Sequence, residues 1–319
     1  MSSSRNAAIA AKDLLSIEEL SPADIGLILD TAAGFAETQS RSLAEAASKL
    51  GGRTLVNMFF ENSTRTRTSF EIAAGRLGMR TVNLDVSTSS VHKGETLLDT
   101  AKVVEAMGAE FLVIRHAASG AAHLVARNVS CRVINAGDGQ HQHPTQALLD
   151  ALTIRQVFGR IEGLRVAIVG DILHSRVARS NTQLLTRLGA TIALIGPRAM
   201  VPDAMSALAP NVEVFHDLRS GLESAGGAHV VMCLRLQLER HRTPIFPSAA
   251  EYRRTYGLDE KSIGWAHADA IVLHPGPVNR GVELSSGLLD SRRSFVLRQV
   301  SNGPLIRAAV LALLGEKRG

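Results

Sequence analysis

Short hydrophobic runs rich in Val, Ile and Leu recur along the chain, and each has the length of one buried strand of a parallel sheet. Between the runs, the hydrophobic positions change to helical spacing, as at Phe70, Ala73 and Leu77, with Gly78 placed to end that helix. This alternation predicts an α/β fold built from open, doubly wound parallel sheets with helices on both faces. The eight predicted strands are residues 54–60, 81–84, 111–114, 132–134, 165–169, 191–195, 230–234 and 271–273.

The pattern divides the chain into two parts. The chain has 319 residues, about twice the length of a common domain. A helix is predicted from Pro144, and a new series of strands and helices starts after the turn-forming Gly159 and Gly163. We therefore expect one domain over residues 1–150 and another over 151–299. A last helix, predicted to begin at Pro304 and lying within about 300–319, is expected to pack back on the first domain.

Composition indicates an ordinary folded protein. Hydrophobic residues make up 45% and charged residues 20%, which argues against a disordered, fibrous or membrane-spanning chain. The longest unbroken apolar stretches, such as residues 308–314, are far shorter than the roughly 20 residues that a bilayer requires. Residues 1–11 are expected to be a frayed start, with a transit peptide as the alternative. Cys131 and Cys233 lie in hydrophobic runs at or beside predicted strands and suit small buried hydrophobic residues, so we expect a reducing compartment and a cytoplasmic location.

The charge of the chain favours small anionic ligands. The formal net charge is +5, and most basic residues are scattered singly. Aromatic residues make up only 4%, which is low for a nucleic-acid surface. A mildly positive field suits small anionic substrates better, so neither nucleic acid nor membrane is expected as a partner. A polyanion-binding protein remains an alternative because the sequence pI is about 9.6.

Polar residues follow the first predicted strand directly. In open α/β sheets, ligands bind beyond the carboxyl ends of the strands. Ser63, Thr64, Arg65 and Thr66 follow the strand that ends at Phe60, and a helix follows them. A helix N-terminus offers backbone N–H donors, and an arginine can bind two phosphate oxygens at once. The segment predicts a phosphate site; an ordinary Ser/Thr helix cap with solvated arginines is the alternative.

Further polar residues follow the next two strands. Arg115 comes directly after the strand 111–114, and the strand 132–134 leads to His143-Pro144-Thr145-Gln146. Pro144 suits the first turn of a helix. His143 would then lie at a helix N-terminus, where the dipole disfavours the charged imidazolium, so a neutral His143 could donate to a carbonyl oxygen.

A metal site is not expected. His141 and His143 lie two residues apart, but no carboxylate or third histidine at useful spacing supports them as ligands. The preferred interpretation is that both histidines have hydrogen-bond partners within the protein and bind no metal.

The second half of the chain carries two arginines at strand ends. Arg176 follows the strand 165–169, and Arg235 follows the strand 230–234. Each can pair with a carboxylate, and together they suggest a dicarboxylate; singly, each would be a surface or ion-pair residue. No Gly-x-Gly-x-x-Gly, Walker or Gly-x-Ser-x-Gly motif follows these strands, which disfavours a dehydrogenase, a P-loop NTPase and an α/β-hydrolase.

Three features together carry a resemblance to a known family. Residues 60–67 (FENSTRTR), residues 143–146 (HPTQ) and Arg115 make the sequence similar to the aspartate and ornithine carbamoyltransferase family. Residues 89–96, 235–240 and 274–277 resemble its aspartate branch. The ornithine branch would carry His-Cys-Leu-Pro near the end, whereas Gly276 stands here and Arg235 is basic. Many aspartate enzymes have Leu in place of Gly276, a difference that function should survive if this position contributes its backbone carbonyl.

The resemblance implies an active site in the cleft between two domains, the first binding carbamoyl phosphate and the second binding L-aspartate. It implies transfer of the carbamoyl group to the aspartate amine, giving N-carbamoyl-L-aspartate and phosphate for de novo pyrimidine biosynthesis. Carbamoyl phosphate is already an activated acyl donor, so no cofactor and no covalent nucleophile are expected. A carbamoyltransferase for another amino acid such as ornithine, or a catalytically silent assembly subunit, are the alternatives.

The resemblance also implies roles for individual residues. Those implied to bind carbamoyl phosphate are Ser63, Thr64, Arg65, Thr66, Arg115, His143, Gln146, Gly276 and Pro277. Arg65, Thr66, Arg115 and His143 are implied as catalytic. Those implied to bind aspartate are Lys93, Arg176, Arg235 and Gln237, with Ser89 and Lys93 supplied by a neighbouring subunit. A shared site of this kind implies a homotrimer, which could join a larger assembly with a regulatory or dihydroorotase-type chain.

Overall fold

A computed structural model of the protein describes residues 9–37, 40–85, 95–236 and 248–316. The chain forms two compact units, the first from Met1–Leu149 with Ser301–Gly319 and the second from Asp150–Val300. Each unit contains one parallel β-sheet covered by helices, which confirms the predicted α/β fold. The cleft expected from the resemblance stays a prediction.

The first unit has a four-stranded sheet in the order β2-β1-β3-β4, and the second unit has a five-stranded sheet in the order β7-β6-β5-β8-β9. All neighbouring strands run parallel. The strands of the first sheet are β1 Thr54–Phe59, β2 Arg80–Asp85, β3 Phe111–His116 and β4 Arg132–Asp138. Those of the second sheet are β5 Arg165–Val169, β6 Thr191–Ile195, β7 Val212–Phe215, β8 Val230–Cys233 and β9 Ile271–Leu273.

The helices of the first unit are α1 Pro22–Phe35, α2 Arg41–Leu50, α3 Thr64–Arg76, α4 Leu97–Ala106 and α5 Ala121–Ala126. Helix α6, Pro144–Phe158, and helix α11, Val296–Gly315, each extend across the division of the chain into units. The helices of the second unit are α7 Arg176–Arg187, α8 Leu218–Glu223, α9 Ala249–Tyr256 and α10 Ser286–Leu289. Within the described residues, the structure has no helix that is both long and apolar enough to cross a bilayer.

Local sequence explains where two of these helices begin. Ser21 precedes α1 and accepts from the backbone N–H of Asp24, whose carboxylate accepts from the N–H of Ser21 in return. Thr96 and Asp99 form the same reciprocal capping box at the start of α4. Each box satisfies two backbone donors that a helix start would otherwise leave unpaired.

The continuous hydrophobic runs form the centre of each sheet. Leu112 and Ile114 of β3 are completely buried, as are Val166 and Ile168 of β5. Burying one such side chain stabilises a fold by about 1.5–3 kcal/mol. A run buried on both faces is expected of a parallel sheet with helices on either side, which is why unbroken hydrophobic runs predicted these strands.

Two elements differ from the sequence prediction. Strand β7 was not predicted, because it lies at the edge of its sheet and contains the exposed Glu213 between half-exposed positions. Helix α11 begins at Val296, eight residues before the predicted start at Pro304, so Pro304 lies inside the helix. A proline inside a helix removes one backbone hydrogen bond, and this helix tolerates that loss.

Candidate active site

The first unit brings the ends of β1 and β3 together at the point where its strand order reverses. The chain passes from β1 to β2 on one side and returns to β3 on the other side of β1. Such a switch point is where open α/β sheets bind ligands. Phe59 pairs with Arg115 in the sheet, and the N–H of Phe60 donates to the carbonyl oxygen of Arg115 at 2.8 Å. The segment after β1 therefore starts beside Arg115.

The predicted phosphate segment forms the start of helix α3. Ser63 is the N-cap residue, and its side chain makes no capping hydrogen bond. Thr64, Arg65 and Thr66 form the first turn, with Arg65 exposed and Thr66 buried. Because Ser63 does not cap the helix, the site keeps the anion-binding character of a helix N-terminus. The structure thus brings these four predicted residues together.

Side-chain contacts hold Arg115 at the same edge of the sheet. Its Nη1 donates to the carbonyl oxygen of Ala136 at 2.9 Å, and its Nε lies 3.6 Å from Oε2 of Glu61. Only 12% of the Arg115 side chain is exposed. The guanidinium is therefore anchored between the segment after β1 and the end of β4, where it can meet an anion without a large loss of side-chain freedom.

The segment between β4 and α6 places His143. Asp138, which is fully buried, accepts at Oδ1 from Nδ2 of Asn135 at 2.8 Å and from the N–H of Gln142 at 3.1 Å. Its Oδ2 accepts from the N–H of Gly120 at 2.6 Å. Sequence reasoning missed Asp138, which is the last residue of β4 and lies four residues beyond the predicted strand 132–134. These bonds fix the short loop that ends at His143.

His143 precedes α6, as the sequence predicted from Pro144. The N–H of Gln146 donates to the carbonyl oxygen of His143 at 3.0 Å, and both side chains are buried. One helix start therefore carries an imidazole and a carboxamide together. Both groups can donate hydrogen bonds to a carbonyl or phosphate oxygen.

The second unit shows the same arrangement around β5 and β8. The chain passes from β5 to β6 and β7 on one side and returns to β8 on the other side of β5, so the switch point lies between β5 and β8. Arg176 is buried as the first residue of α7, which follows β5. Arg235 is half-buried and lies two residues beyond the end of β8. Both predicted arginines therefore lie in the segments that follow β5 and β8, the two strands on either side of this switch point.

The end of β9 adds a tightly bonded loop to the second unit. The peptide bond between Gly276 and Pro277 is cis. Nδ1 of His274 accepts from the N–H of Gly276 at 2.8 Å, while its Nε2 lies 3.2 Å from Oε1 of Glu283. The side chains of His274 and Glu283 are 0% and 1% exposed. Sequence reasoning missed Glu283, because its partner His274 lies nine residues earlier in an irregular loop and no regular spacing links the two residues.

The predicted site residues divide between the two units. The first unit holds Ser63, Thr64, Arg65, Thr66, Arg115, His143 and Gln146, and the second holds Arg176, Arg235, Gly276 and Pro277. Ser89, Lys93 and Gln237 lie outside the described residues.

Both cysteines are buried and free, which confirms that they serve as small hydrophobic residues. Burial, with a smaller contribution from Glu105, raises the pKa of Cys131 to about 12. Burial also raises the pKa of Cys233 well above its ordinary value. Nucleophilic catalysis requires a thiolate, so neither thiol is suited to it.

Comparison with known proteins identifies the family of the chain. The family model for the aspartate/ornithine carbamoyltransferase carbamoyl-P binding domain matches residues 12–156, and the model for the Asp/Orn binding domain matches residues 162–314. The aspartate carbamoyltransferase catalytic subunit of Granulibacter bethesdensis is 55% identical over 306 residues, covering 96% of this chain and 95% of the relative. That of Rhodospirillum rubrum is 52% identical over 304 residues, covering 95% and 93%.

Solved structures indicate the same family at lower sequence identity. Aspartate transcarbamoylase from Trypanosoma cruzi in complex with carbamoyl phosphate and aspartate has a TM-score of 0.81 to this chain at 30% identity. The match covers 94% of each chain. The resemblance read from the sequence motifs is therefore confirmed across both units. The chain belongs to the aspartate/ornithine carbamoyltransferase family.

Proposed function

We propose that the protein transfers the carbamoyl group of carbamoyl phosphate to the amino group of L-aspartate, giving N-carbamoyl-L-aspartate and phosphate. The observation that carries this proposal is the uncapped N-terminus of α3 beside Arg115. Backbone donors, the guanidinium groups of Arg65 and Arg115, and the hydroxyl of Thr66 together offer a phosphate group both charge and hydrogen bonds.

Within this proposal, the first unit binds carbamoyl phosphate. Ser63, Thr64, Arg65 and Thr66 bind phosphate oxygens at the start of α3. His143 and Gln146 bind the carbamoyl end from the start of α6, where both are buried. Gly276 and Pro277 contact the carbamoyl amine through their backbone carbonyls. An amine donates hydrogen bonds, so carbonyl oxygens suit it.

The second unit binds L-aspartate through its two arginines. Arg176 and Arg235 lie on segments that leave one switch point, and each guanidinium can bind one carboxylate with two parallel hydrogen bonds. Gln237 and Lys93 complete the aspartate site in this proposal, although both lie outside the described residues. The positive charge of Arg235 supports aspartate over ornithine, because ornithine carries an amine where aspartate carries its second carboxylate.

The reaction needs positioning and charge stabilisation. The aspartate amine attacks the carbamoyl carbon, and a negative charge develops on the carbonyl oxygen. Phosphate then leaves with the electron pair of the broken C–O bond and takes up the proton that the attacking amine loses. His143, Thr66 and Arg115 donate to that oxygen, and one such donor contributes about 2.7–4 kcal/mol to a transition state. Holding both substrates in one geometry lowers the barrier further.

The comparisons support this choice of substrates. The Trypanosoma cruzi enzyme binds carbamoyl phosphate and aspartate in a solved complex. The two bacterial relatives that share more than half of their residues with this chain are both aspartate carbamoyltransferase catalytic subunits. We further propose a homotrimer in which Ser89 and Lys93 complete the site of a neighbouring subunit, and a cytoplasmic location.

A substrate comparison tests the function. Purified protein is incubated with carbamoyl phosphate and either L-aspartate or L-ornithine, and phosphate and the carbamoylated product are measured together. We expect product only with aspartate, in equal amount to the phosphate released above the rate of spontaneous decomposition. Product with ornithine alone would establish the ornithine alternative. No product with either amino acid would favour a catalytically silent subunit. In a separate binding experiment, retention of the protein on nucleic acid that weakens with added salt would favour a polyanion-binding protein.

A further inference from the structure

Three ligating side chains of the first unit meet outside the residues assigned above to the substrates. One ligand atom each from His123, Asp138 and His141 lies within 4.8 Å of the other two. The rings of His123 and His141 are 5.5 Å apart between centroids and are tilted at 58°. We propose that these three residues form a binding site for a divalent transition-metal ion of the zinc type. This inference does not depend on the proposed function.

His123 presents an available ring nitrogen. Its Nε2 lies 3.1 Å from Oε1 of Glu19, so the carboxylate favours the tautomer that carries the proton on Nε2. The other nitrogen, Nδ1, then carries a lone pair, and it is buried with no hydrogen-bond partner among the described residues. Buried nitrogens without a partner are rare and need a reason. A carboxylate behind a metal-bound histidine is a common second contact in metal sites, and Glu19 provides one.

Asp138 and His141 supply the other two ligands. Nδ1 of His141 lies 3.1 Å from Oδ2 of Asp138. Tetrahedral zinc with bonds of about 2.0–2.1 Å separates neighbouring ligand atoms by about 3.3 Å, so this pair already has nearly the required spacing. Oδ2 also accepts from the N–H of Gly120, and a carboxylate oxygen can accept that bond and bind a metal ion together.

Burial and exposure of the three ligands also suit a metal ion. Asp138 is fully buried, which fixes its carboxylate, whereas the side chains of His123 and His141 are 22% and 31% exposed. The imidazoles can therefore move the short distance needed to close on an ion, and solvent can supply a fourth ligand. Two imidazoles and one carboxylate favour zinc over magnesium, which prefers oxygen ligands in octahedral geometry.

In the sequence, His143 was the histidine considered beside His141, and a metal site was not expected there. The structure instead places His123 and Asp138 beside His141, because helix α5 follows β3, and β3 neighbours β4 in the sheet. A bound ion would tie α5 to the short loop that ends at His143. Metal binding is therefore expected to stabilise the first unit at that loop.

Zinc binding to the whole protein tests the site. Protein freed of metal with a chelator is titrated with zinc against a chromogenic competitor, and the wild type is compared with His123→Ala and His141→Ala. We expect one zinc ion per chain at this site and at least about tenfold weaker binding in each variant. His216→Ala is the matched control, because His216 Nε2 lies 2.8 Å from Asp203 in a similar pair that belongs to no three-ligand group in the described residues.

Two further measurements keep the test decisive if a variant is unstable. Cobalt added to the wild type is expected to give the visible absorption of a four-coordinate ion, and His141→Gln is expected to lose it while retaining a donor toward Asp138. Magnesium is expected not to compete with zinc. Equal zinc affinity in the wild type and the His123 and His141 variants, or no zinc bound to the wild type, would overturn the proposal.

Discussion

The side-chain amide of Asn279 donates to the carbonyl oxygen of Leu236 at 3.2 Å. The N–H of Asn279 also donates to Oε1 of Glu283 at 2.6 Å, and Glu283 contacts His274. The loop that carries Gly276 is therefore bonded to the residue that follows Arg235. Within the second unit, one buried network positions residues proposed to bind different substrates.

Removing Glu283 is expected to damage this network. Glu283→Ala leaves Nε2 of buried His274 and the N–H of Asn279 without their acceptor, and leaving a buried polar group unsatisfied destabilises a protein by about 1–3 kcal/mol. The free energy of unfolding in urea measures the loss. Asp290→Asn is the control, because the pair of Asp290 with Arg280 is exposed and is expected to contribute little to stability. Equal stability of the two variants would show that the Glu283 pair contributes no more than a surface pair.

Arg65→Ala is expected to fold normally and to lose most turnover. The side chain is exposed at the start of α3, so its loss leaves no cavity, but it removes a proposed phosphate ligand. Arg67→Ala is the matched control on the same helix, where Arg67 faces Glu71 at 3.8 Å. Steady-state kinetics and circular dichroism check both variants. A rate near that of the wild type in Arg65→Ala would count against the proposed phosphate site.

His143→Ala is expected to lower kcat by about 10²–10³, since it removes one donor to the developing oxyanion. Binding of inorganic phosphate, measured by calorimetry, should change much less, because the start of α3 remains intact. If kcat and the affinity for inorganic phosphate fall together, His143 binds the phosphate in the ground state and does not act on the carbonyl oxygen.

Mixing two inactive variants tests the shared site. Lys93→Ala and His143→Ala chains are each expected to be inactive alone, and some mixed trimers would regain one complete site. Recovery of part of the activity after subunit exchange is the expected result. A mixture that exchanges subunits, as shown by native mass spectrometry, yet stays inactive would exclude a Lys93 contribution from a neighbouring subunit.

Acid is expected to destabilise the second unit through His229. Partial burial, and then the charges of His267 and Arg160, lower the pKa of His229 below 6.5. His229 therefore binds its proton more tightly in the unfolded chain than in the folded chain. The contribution of neutral His229 to the free energy of unfolding is complete above pH 6.5, and it is lost as the pH falls through the pKa of His229 in the folded state. His229→Asn keeps an acceptor for the N–H of Arg165 and should show a smaller fall in Tm between about pH 8 and about pH 5.5.

Local sequence signals predicted the strands and the polar residues at their ends. A continuous hydrophobic run identifies a buried strand, and a polar residue at its end lies at the carboxyl edge of the sheet, as Arg115 does. The same signals could not reveal Asp138 as a bonding centre or Glu283 as the partner of His274. Their roles depend on loops and on neighbouring strands, which hydrophobic spacing does not specify.

Strand β7 and the start of α11 were missed for a related reason. An edge strand of four residues that Glu213 interrupts has no unbroken hydrophobic run, and a proline usually marks the start of a helix, not its middle.

Helix α11 has a consequence for the order in which the chain folds during synthesis. Gln299 donates to the buried carboxylate of Asp150 at 2.7 Å across a separation of 149 residues. Arg307 donates to Ser69 at 2.8 Å across 238 residues. Because a ribosome releases the chain from its N-terminus, the first bond cannot form before residue 299 has emerged, and the second cannot form before residue 307 has emerged. Nascent chains that stall before Gln299 should therefore leave both units incomplete and dependent on chaperones.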